Sequence, residues 1–545
     1  MARNSLLGQP LSGSRSKMTT LLVEPSLGYS SAQPLTDLAL GQTPDTVNWL
    51  MRDGGIEPRS RLSVVATNPN PLGTIVSGGV EAVSSVGTVY PVISGTTRWA
   101  WYSTGSWSAL SYVNSAGGNT PPSSASTNYT DMTQIYYPVT DEMLVVAGME
   151  SYQTLLCWSV GTTIFSSISG APRAKYVAAL DNFVLAFNQR DVGSAQSRYV
   201  QRVSWSDRGN PMNWTAIPTA GFEDLLAARG EGTGIKILDN RVILFFENEI
   251  WQGIRSSGIA SFTFEPLDRT VGTRNSWTIT VTPLGIIFLG NDAMLYLLPK
   301  EGGGAQPIGK ATQRYLRDNL DSADRAWALY DETTNAYRLF YPTRSGSGLP
   351  TKEITFNLQD GSNALQDYGT RNLSRGFPAY LQAVSSGLSY GALTTAGWTY
   401  ASIPYTYDQM AQVTSRTNRA AFIGSSTGTM YYLSSTDTLE DGTAVEARWR
   451  SSGLGADGPD SQKAVTCIRV DVQATVSSHL SVRASRDQGQ SFDPGQQITI
   501  PVTSNQTQAV SWLQVPARYP QLELATEDIG LRVYRIWAQM RVGGQ

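Results

Sequence analysis

The stretch Arg202–Gly253, RVSWSDRGNPMNWTAIPTAGFEDLLAARGEGTGIKILDNRVILFFENEIWQG, decides the fold. Its apolar runs Gly234–Leu238 and Val242–Phe246 are separated by the turn residues Asp239-Asn240 and Arg241, and two β-prone runs around such turn residues form a hairpin. Just upstream, Ser204-Trp205-Ser206-Asp207 ends a strand and the Gly209-Asn210-Pro211 turn leads into Asn213-Trp214, so two indoles flank one reversal. Rings placed this way are expected to wedge between packed sheets, burying apolar area while each N–H finds an acceptor.

Outward from this hairpin the same unit recurs: a strand, a turn, a second strand, often an aromatic exit. Further units begin near Thr88, Gln134, Ala174, Ser276 and Ala326, and a last one spans Tyr380 to Leu433. A period of roughly 40–60 residues is that of propeller blades, and the 3.6-residue pattern of a helical solenoid is missing. Six or seven such units close a ring, which removes the sheet edges that invite aggregation. The one helix expected is Thr312–Leu320, about two turns long and read as a connector between blades.

After about Thr436 the character shifts to a separate run of strands that alternate, as in Arg469-Val470-Asp471-Val472 and Leu480-Ser481-Val482-Arg483. Half-buried antiparallel strands of this kind predict a β-sandwich. Within it Ser485–Phe492, SRDQGQSF, matches the Asp-box turn, in which Asp487 accepts backbone N–H groups and Gly489 takes a positive φ. The resulting expectation is an all-β chain: an N-terminal arm over residues 1–60, a β-propeller of six or seven blades over 61–435, and a β-sandwich-like domain over 436–545.

Composition narrows the function. Charged residues make up 16% of the 545, net charge is −3, and no run of one sign stands out, which disfavours a cationic nucleic-acid binder. Cys157 and Cys467 lie far apart in apolar strands and read as buried free thiols. No segment reaches the ~18 apolar residues of a membrane span, and the first residues carry no signal-peptide core, so assembly in a cytoplasm is expected.

Motifs that would carry chemistry fail on inspection. Gly424–Gly428 fits G-x-S-x-G, yet Ile423 before it and Met430-Tyr431-Tyr432 after it make a hairpin, and the chain's single histidine, His479, lies in an unrelated strand. Gly304–Lys310, GAQPIGK, lacks the Ser or Thr of a phosphate loop, having Ala311 there, and Pro307 removes a needed N–H. One histidine and two distant cysteines make no transition-metal site. The acidic patches Asp437–Gly442 and Asp457–Asp460 offer calcium-type oxygens but read as polar turns. No catalytic, cofactor-binding or metal residue is assigned, no cofactor is expected, and the chain is expected not to be an enzyme.

The WSD turn with Pro and Trp, the acidic Gly-rich loop, the strand pair ending in Glu249-Ile250-Trp251, and the turn at Ser485–Phe492 followed by Arg532–Trp537 together resemble the tail-nozzle, or packaged-DNA-stabilisation, proteins of short-tailed bacteriophages. The resemblance is carried by Ala171–Gly290 and Asp441–Phe492; the Ser/Gly/Asn-rich loop Ser115–Tyr129 departs from it. It implies a virion tail protein assembled in the host cytoplasm: a homohexameric ring below the portal and adaptor that retains packaged double-stranded DNA and conducts it during ejection. The implied partners are further copies of the chain, head-to-tail adaptors, tail fibres or spikes, and a needle or plug. The alternative from the same scaffold is a carbohydrate-binding adhesin or a sialidase-like glycosidase of a phage tail, which would need paired carboxylates, an arginine cluster and a tyrosine nucleophile.

Overall fold

A four-stranded antiparallel sheet hides its edges and faces only by packing on others, and this chain does so in a ring. The computed structural model describes residues 17–34, 37–65, 72–96, 98–103, 105–113, 129–190, 198–215, 219–256, 261–321, 323–346, 348–381, 418–455, 462–503 and 505–542. The chain divides into two compact units, Ser60–Gly361 with Leu365–Thr443, and Met1–Arg59 with Ser362–Ala364 and Ala444–Gln545.

The first unit is a β-propeller, with seven four-stranded blades among the described residues. Their innermost strands are, in order, Gly78–Val83, Thr130–Tyr137, Arg173–Leu180, Gly232–Leu238, Thr280–Thr282, Trp327–Asp331 and Leu373–Leu381. These strands neighbour one another around the circle, the seventh lying beside the first. Blades 1 and 2 are also joined at their outer strands, Ser106–Val113 running parallel to Ile164–Ser167. The first blade begins earlier than the sequence unit at Thr88, because its inner strand is the Gly-rich GGVEAV, in which no apolar period is visible. Gly79 has a packing reason: the Phe377 ring of blade 7 occupies the space a side chain would need.

Closure comes from the start of the chain's propeller segment. Arg61–Val64 is the outermost strand of blade 7, antiparallel to Met430–Ser434 with Leu62 opposite Leu433. Its neighbours are the acidic residues that read as a polar turn. The Leu62 N–H donates to Glu440 Oε2 at 3.2 Å, the Ser63 hydroxyl donates to Asp437, and Glu440 is itself paired with Arg371 at 3.1 Å. The carboxylates at 437 and 440 latch the ring.

The hairpin that opened the sequence reading is the inner half of blade 4, Gly232–Leu238 with Arg241–Phe246. Trp205 of blade 3 packs edge-on against Phe262 of blade 4, centroids 5.4 Å apart, while its Nε1 donates to the Thr219 carbonyl. The indole is the wedge its position predicts. The only α-helix among the described residues, α1 (Lys310–Asn319), links blades 5 and 6 and buries Leu316. Blade 6 encloses a full charge network: Arg338, wholly buried, donates to Glu353 at 2.7 and 3.1 Å and to Asp331 at 2.9 Å. Burial pushes the Asp331 carboxyl up, but Arg338 and the hydroxyls of Thr333 and Thr334 outweigh it and leave the group below its ordinary value.

The second unit is a β-sandwich drawing strands from both parts of the sequence. One sheet orders Trp49–Arg52, Gly55–Pro58, Leu531–Val542, Lys463–Ala474 and Thr507–Ala517, with Lys17–Val23 also on Leu531–Val542. The other orders Asp45–Val47, Ala447–Arg450, Gln521–Thr526, Ser478–Ser485 and Gln496–Ile500. Between them lie Trp49, Trp449, Ile468, Val470, Leu480, Val482, Leu524 and Ile536. Residues 17–58 therefore supply four strands to this sandwich.

If the strand Arg61–Val64 holds the ring shut, Leu62→Ala will destabilise the propeller by about 2–5 kcal/mol, the range for a buried leucine. Val64→Ala, at an exposed position of the same strand, will change stability by less than about 0.5 kcal/mol. Denaturant melts of the two variants check this, and equal effects would refute the latch.

Candidate functional site

Each blade presents the same end of its sheet where the chain enters the innermost strand and where the second strand turns into the third. At that end the side chains of several blades meet on the propeller axis. The Glu150 carboxylate, just past the second strand of blade 2, accepts from the Tyr129 N–H at 2.9 Å and from Trp277 Nε1 at 3.1 Å. Trp277 sits in the 3-10 turn Ser276–Thr278 that opens blade 5. Blades 2 and 5 stand three places apart in a ring of seven, as far as two blades can be, so this hydrogen bond crosses the axis.

A second contact spans it too. The Tyr129 hydroxyl donates to the carbonyl of Arg325, at the entrance to blade 6, at 3.4 Å. Arg375 of blade 7 lies over the Trp277 ring at 4.4 Å and donates to the Trp277 carbonyl at 3.2 Å. Deeper, Asp131 accepts from the Val177 N–H at 3.1 Å and pairs with Lys236 at 3.3 Å. Tyr129, Trp277, Tyr176 and Asp131 are buried, while Glu150, Lys175, Arg325 and Arg375 keep partial access to solvent. The axis is thus bridged by aromatic and charged groups.

Electrostatics at this mouth follow from enclosure. Burial pushes the Glu150 carboxyl up, outweighing the two N–H donors and the nearby Lys175 and Arg325. Burial likewise raises the Tyr129 phenol to about 12 and lowers the Arg375 guanidinium from its ordinary range. Tyr152 is raised to about 12, also chiefly by burial, and its hydroxyl donates to Asn188 Oδ1 at 2.8 Å. A tyrosine nucleophile needs the opposite shift, so Tyr152 is built to stay neutral.

The sequence motifs fall elsewhere. Gly424–Gly428 forms the hairpin turn between Asn418–Ser425 and Met430–Ser434. Gly304–Lys310 runs through the short strand Gln306–Pro307 into α1. His479 is in the sandwich, half-exposed, its Nδ1 3.1 Å from Asp528. Cys157 and Cys467 are buried free thiols, and burial pushes the Cys157 thiol up. The Asp-box turn forms between two sandwich strands: Asp487 accepts the Ser491 N–H at 2.8 Å and the Ser491 and Ser485 hydroxyls, which hold its carboxyl at about 2, and Gly489 has φ +86°. The acidic patch at 457–460 and the loop at 115–128 lie outside the described residues. Among the described residues no group of three or more His, Cys, Asp and Glu is placed to hold a metal ion.

Sequence reasoning missed the axial group. Its members stand at blade entrances and in turns, and only Trp277, inside the unit SWTITVTPLGIIFLG, carried any signal. Which entrances face one another is set by ring closure, and local pattern is silent on that.

Comparison with known proteins gives no matching family model and no matching curated protein. Among solved structures, the extracellular domain of a putative hybrid two-component system from B. thetaiotaomicron is similar at 9% identity and TM-score 0.37, over 81% of this chain and 47% of that one. The chain thus spans about half of that protein's length. An exo-β-1,3-galactanase from Phanerochaete chrysosporium is similar at 10% identity and TM-score 0.27, over 88% of this chain and all of that one. A family 43 arabinoxylan arabinofuranohydrolase from Bacillus subtilis is similar at 10% identity and TM-score 0.21, over 92% and 96%. One expectation is corrected by these findings. The failed nucleophile and phosphate motifs led to the reading that the chain is not an enzyme, whereas two of these similar structures are glycoside hydrolases.

The raised Glu150 carboxyl has a signed consequence. Because the fold favours its protonated form, its stabilisation is fully present below the unfolded value of about 4.3 and is lost as pH rises through the higher folded value. Glu150→Gln cannot ionise, so its stability relative to the native chain will rise as pH increases from about 4 to 7. Melting temperatures across that range test this; parallel curves would show that Glu150 is not held up by its surroundings.

Proposed function

We propose that this chain is a structural ring subunit of a short-tailed phage tail, the nozzle that retains packaged DNA and conducts it on ejection. The observation that carries the proposal is the outer face of the larger sandwich sheet. Its edge strand Thr507–Ala517 turns Val510 and Trp512 to solvent, with Trp512 66% exposed, and the same sheet exposes Met18 and Leu22 beside half-buried Trp537. Val510, Arg469, Trp537 and Leu22 form one row across four strands. Gln496 caps this edge at the Trp512 N–H, but exposed apolar side chains on an edge strand are a liability in a monomer and an asset in a ring, where a second copy covers them.

The bridged axis supports the same reading in a restricted form. Contacts between blades 2 and 5 leave no bore for a duplex along the propeller axis, so any conduit lies between copies. Adaptors, fibres and a plug are the partners this role calls for.

A second reading, a glycan-binding or glycan-cleaving tail propeller, is favoured by one specific observation: Glu150 is a carboxyl held above its ordinary value at the propeller mouth, the property a general acid requires.

Trp512→Arg will abolish ring assembly while leaving the fold intact, as read by mass photometry of purified protein and by averaging of tails from particles carrying the variant. Unchanged rings would remove the sandwich face from the interface, and a chain that stays single in mature particles would defeat the nozzle reading. Release of reducing ends from host polysaccharide, lost in Glu150→Gln, would instead establish the second.

A further inference from the structure

Three arginines stand in one row across blade 3. Arg173 on the innermost strand is directly opposite Arg190 on the second, and Arg190 is directly opposite Arg198 on the third. Directly opposite residues share a sheet face with Cβ atoms about 4.5–5.5 Å apart, and Lys175, two positions beyond Arg173, shares it as well. Like charges so placed repel, and a sheet does not keep such a row without compensation.

Among the described residues no carboxylate is hydrogen-bonded to this row. Elsewhere in the same blade Arg202 grips Asp224 with two hydrogen bonds of 2.7 Å. Among the described residues Arg173, Arg190 and Arg198 have no such carboxylate, and the Nε atoms of Arg173 and Arg190 are buried with no hydrogen-bond partner. What the cations do share is the Tyr152 ring, with Arg190 at 4.7 Å, Lys175 at 5.1 Å and Arg198 at 5.8 Å from its centroid. Two carboxylates act on Tyr152 from nearby, Glu150 and Glu231. Glu150 is already engaged by Tyr129 and Trp277, and among the described residues the four cations outnumber the two carboxylates that act on this ring. The row lies at the mouth end of the blade, where ligands can arrive.

We propose that this row is a binding site for one tetrahedral oxyanion, a phosphate or sulfate group, held by the guanidinium forks of Arg173, Arg190 and Arg198 with Lys175 adding charge. A carboxylate is saturated by a single bidentate arginine, whereas three forks at adjacent strand positions match a group with three or more oxygens. The close spacing converges on one group and does not follow the repeat of a polymer. The site is independent of the role proposed for the whole chain.

Thermal shift and calorimetric titration of the full chain with sodium phosphate and with sodium sulfate, against sodium chloride at matched ionic strength, test it. The expected result is saturable stabilisation by phosphate or sulfate, weakened about tenfold or more in Arg190→Gln, the scale of one lost charge-assisted pair. Arg198→Gln, at an exposed position that folding does not require, will show the same direction, and Arg202→Gln will bind like the native chain. A short oligonucleotide with a 5′-phosphate, compared with the same oligonucleotide lacking it, distinguishes a carried phosphate from the free ion. Stabilisation no greater than chloride gives, or native affinity in Arg198→Gln, would overturn the site.

Discussion

The propeller depends on one strand pairing. Seven blades packed side by side still leave an opening unless the last blade is completed from the other end of the segment, and Arg61–Val64 completes it. Everything on the axis follows from that closure, since the entrances to blades 2, 5, 6 and 7 face one another only in a closed ring. The latch is electrostatic as well as apolar. Buried Leu62 fills the sheet while Glu440, wholly buried, takes its N–H and the Arg371 guanidinium. A buried carboxylate with those partners is costly to unpair, which ties opening of the ring to exposure of a charge.

How much of this was legible beforehand depended on range. Local signals were strong: the hairpin in blade 4, the wedge at Trp205, the connector helix and the Asp-box turn are each set by residues within a few positions of one another. Blade 1 hid its first strand, because its glycines answer to other blades: Gly78 to the Thr130 carbonyl of blade 2, and Gly79 to the Phe377 ring of blade 7, far along the sequence. The acidic run Asp437–Gly442 read as a polar turn for the same reason; its partner strand lies at Arg61–Val64. The site was the least legible part. Glu150, Trp277, Arg325 and Arg375 belong to four different blades, and no spacing along the chain announces that they meet.

The arginine row shows the converse. Arg173, Arg190 and Arg198 are close in sequence, yet as a sequence they are three scattered cations in a chain of net charge −3. Net charge excluded a broad basic surface and had nothing to say about a local one. Register converts them into a row: the first hairpin sets Arg173 opposite Arg190 in unbroken register, and a shift on the third strand, opposite Asn188, leaves Arg190 facing Arg198.

A closed axis also constrains how such a chain can act on a long polymer. The hydrogen bond from Trp277 to Glu150 joins opposite sides of the ring, and Arg375 stacks on the same indole, so opening the bore would break a partly buried hydrogen bond and separate a cation from its ring. Those costs fall on groups already short of solvent, where an unpaired polar atom is most expensive. The propeller axis is therefore bridged at its mouth. The propeller's reach toward any partner is exercised from its rim and its mouth.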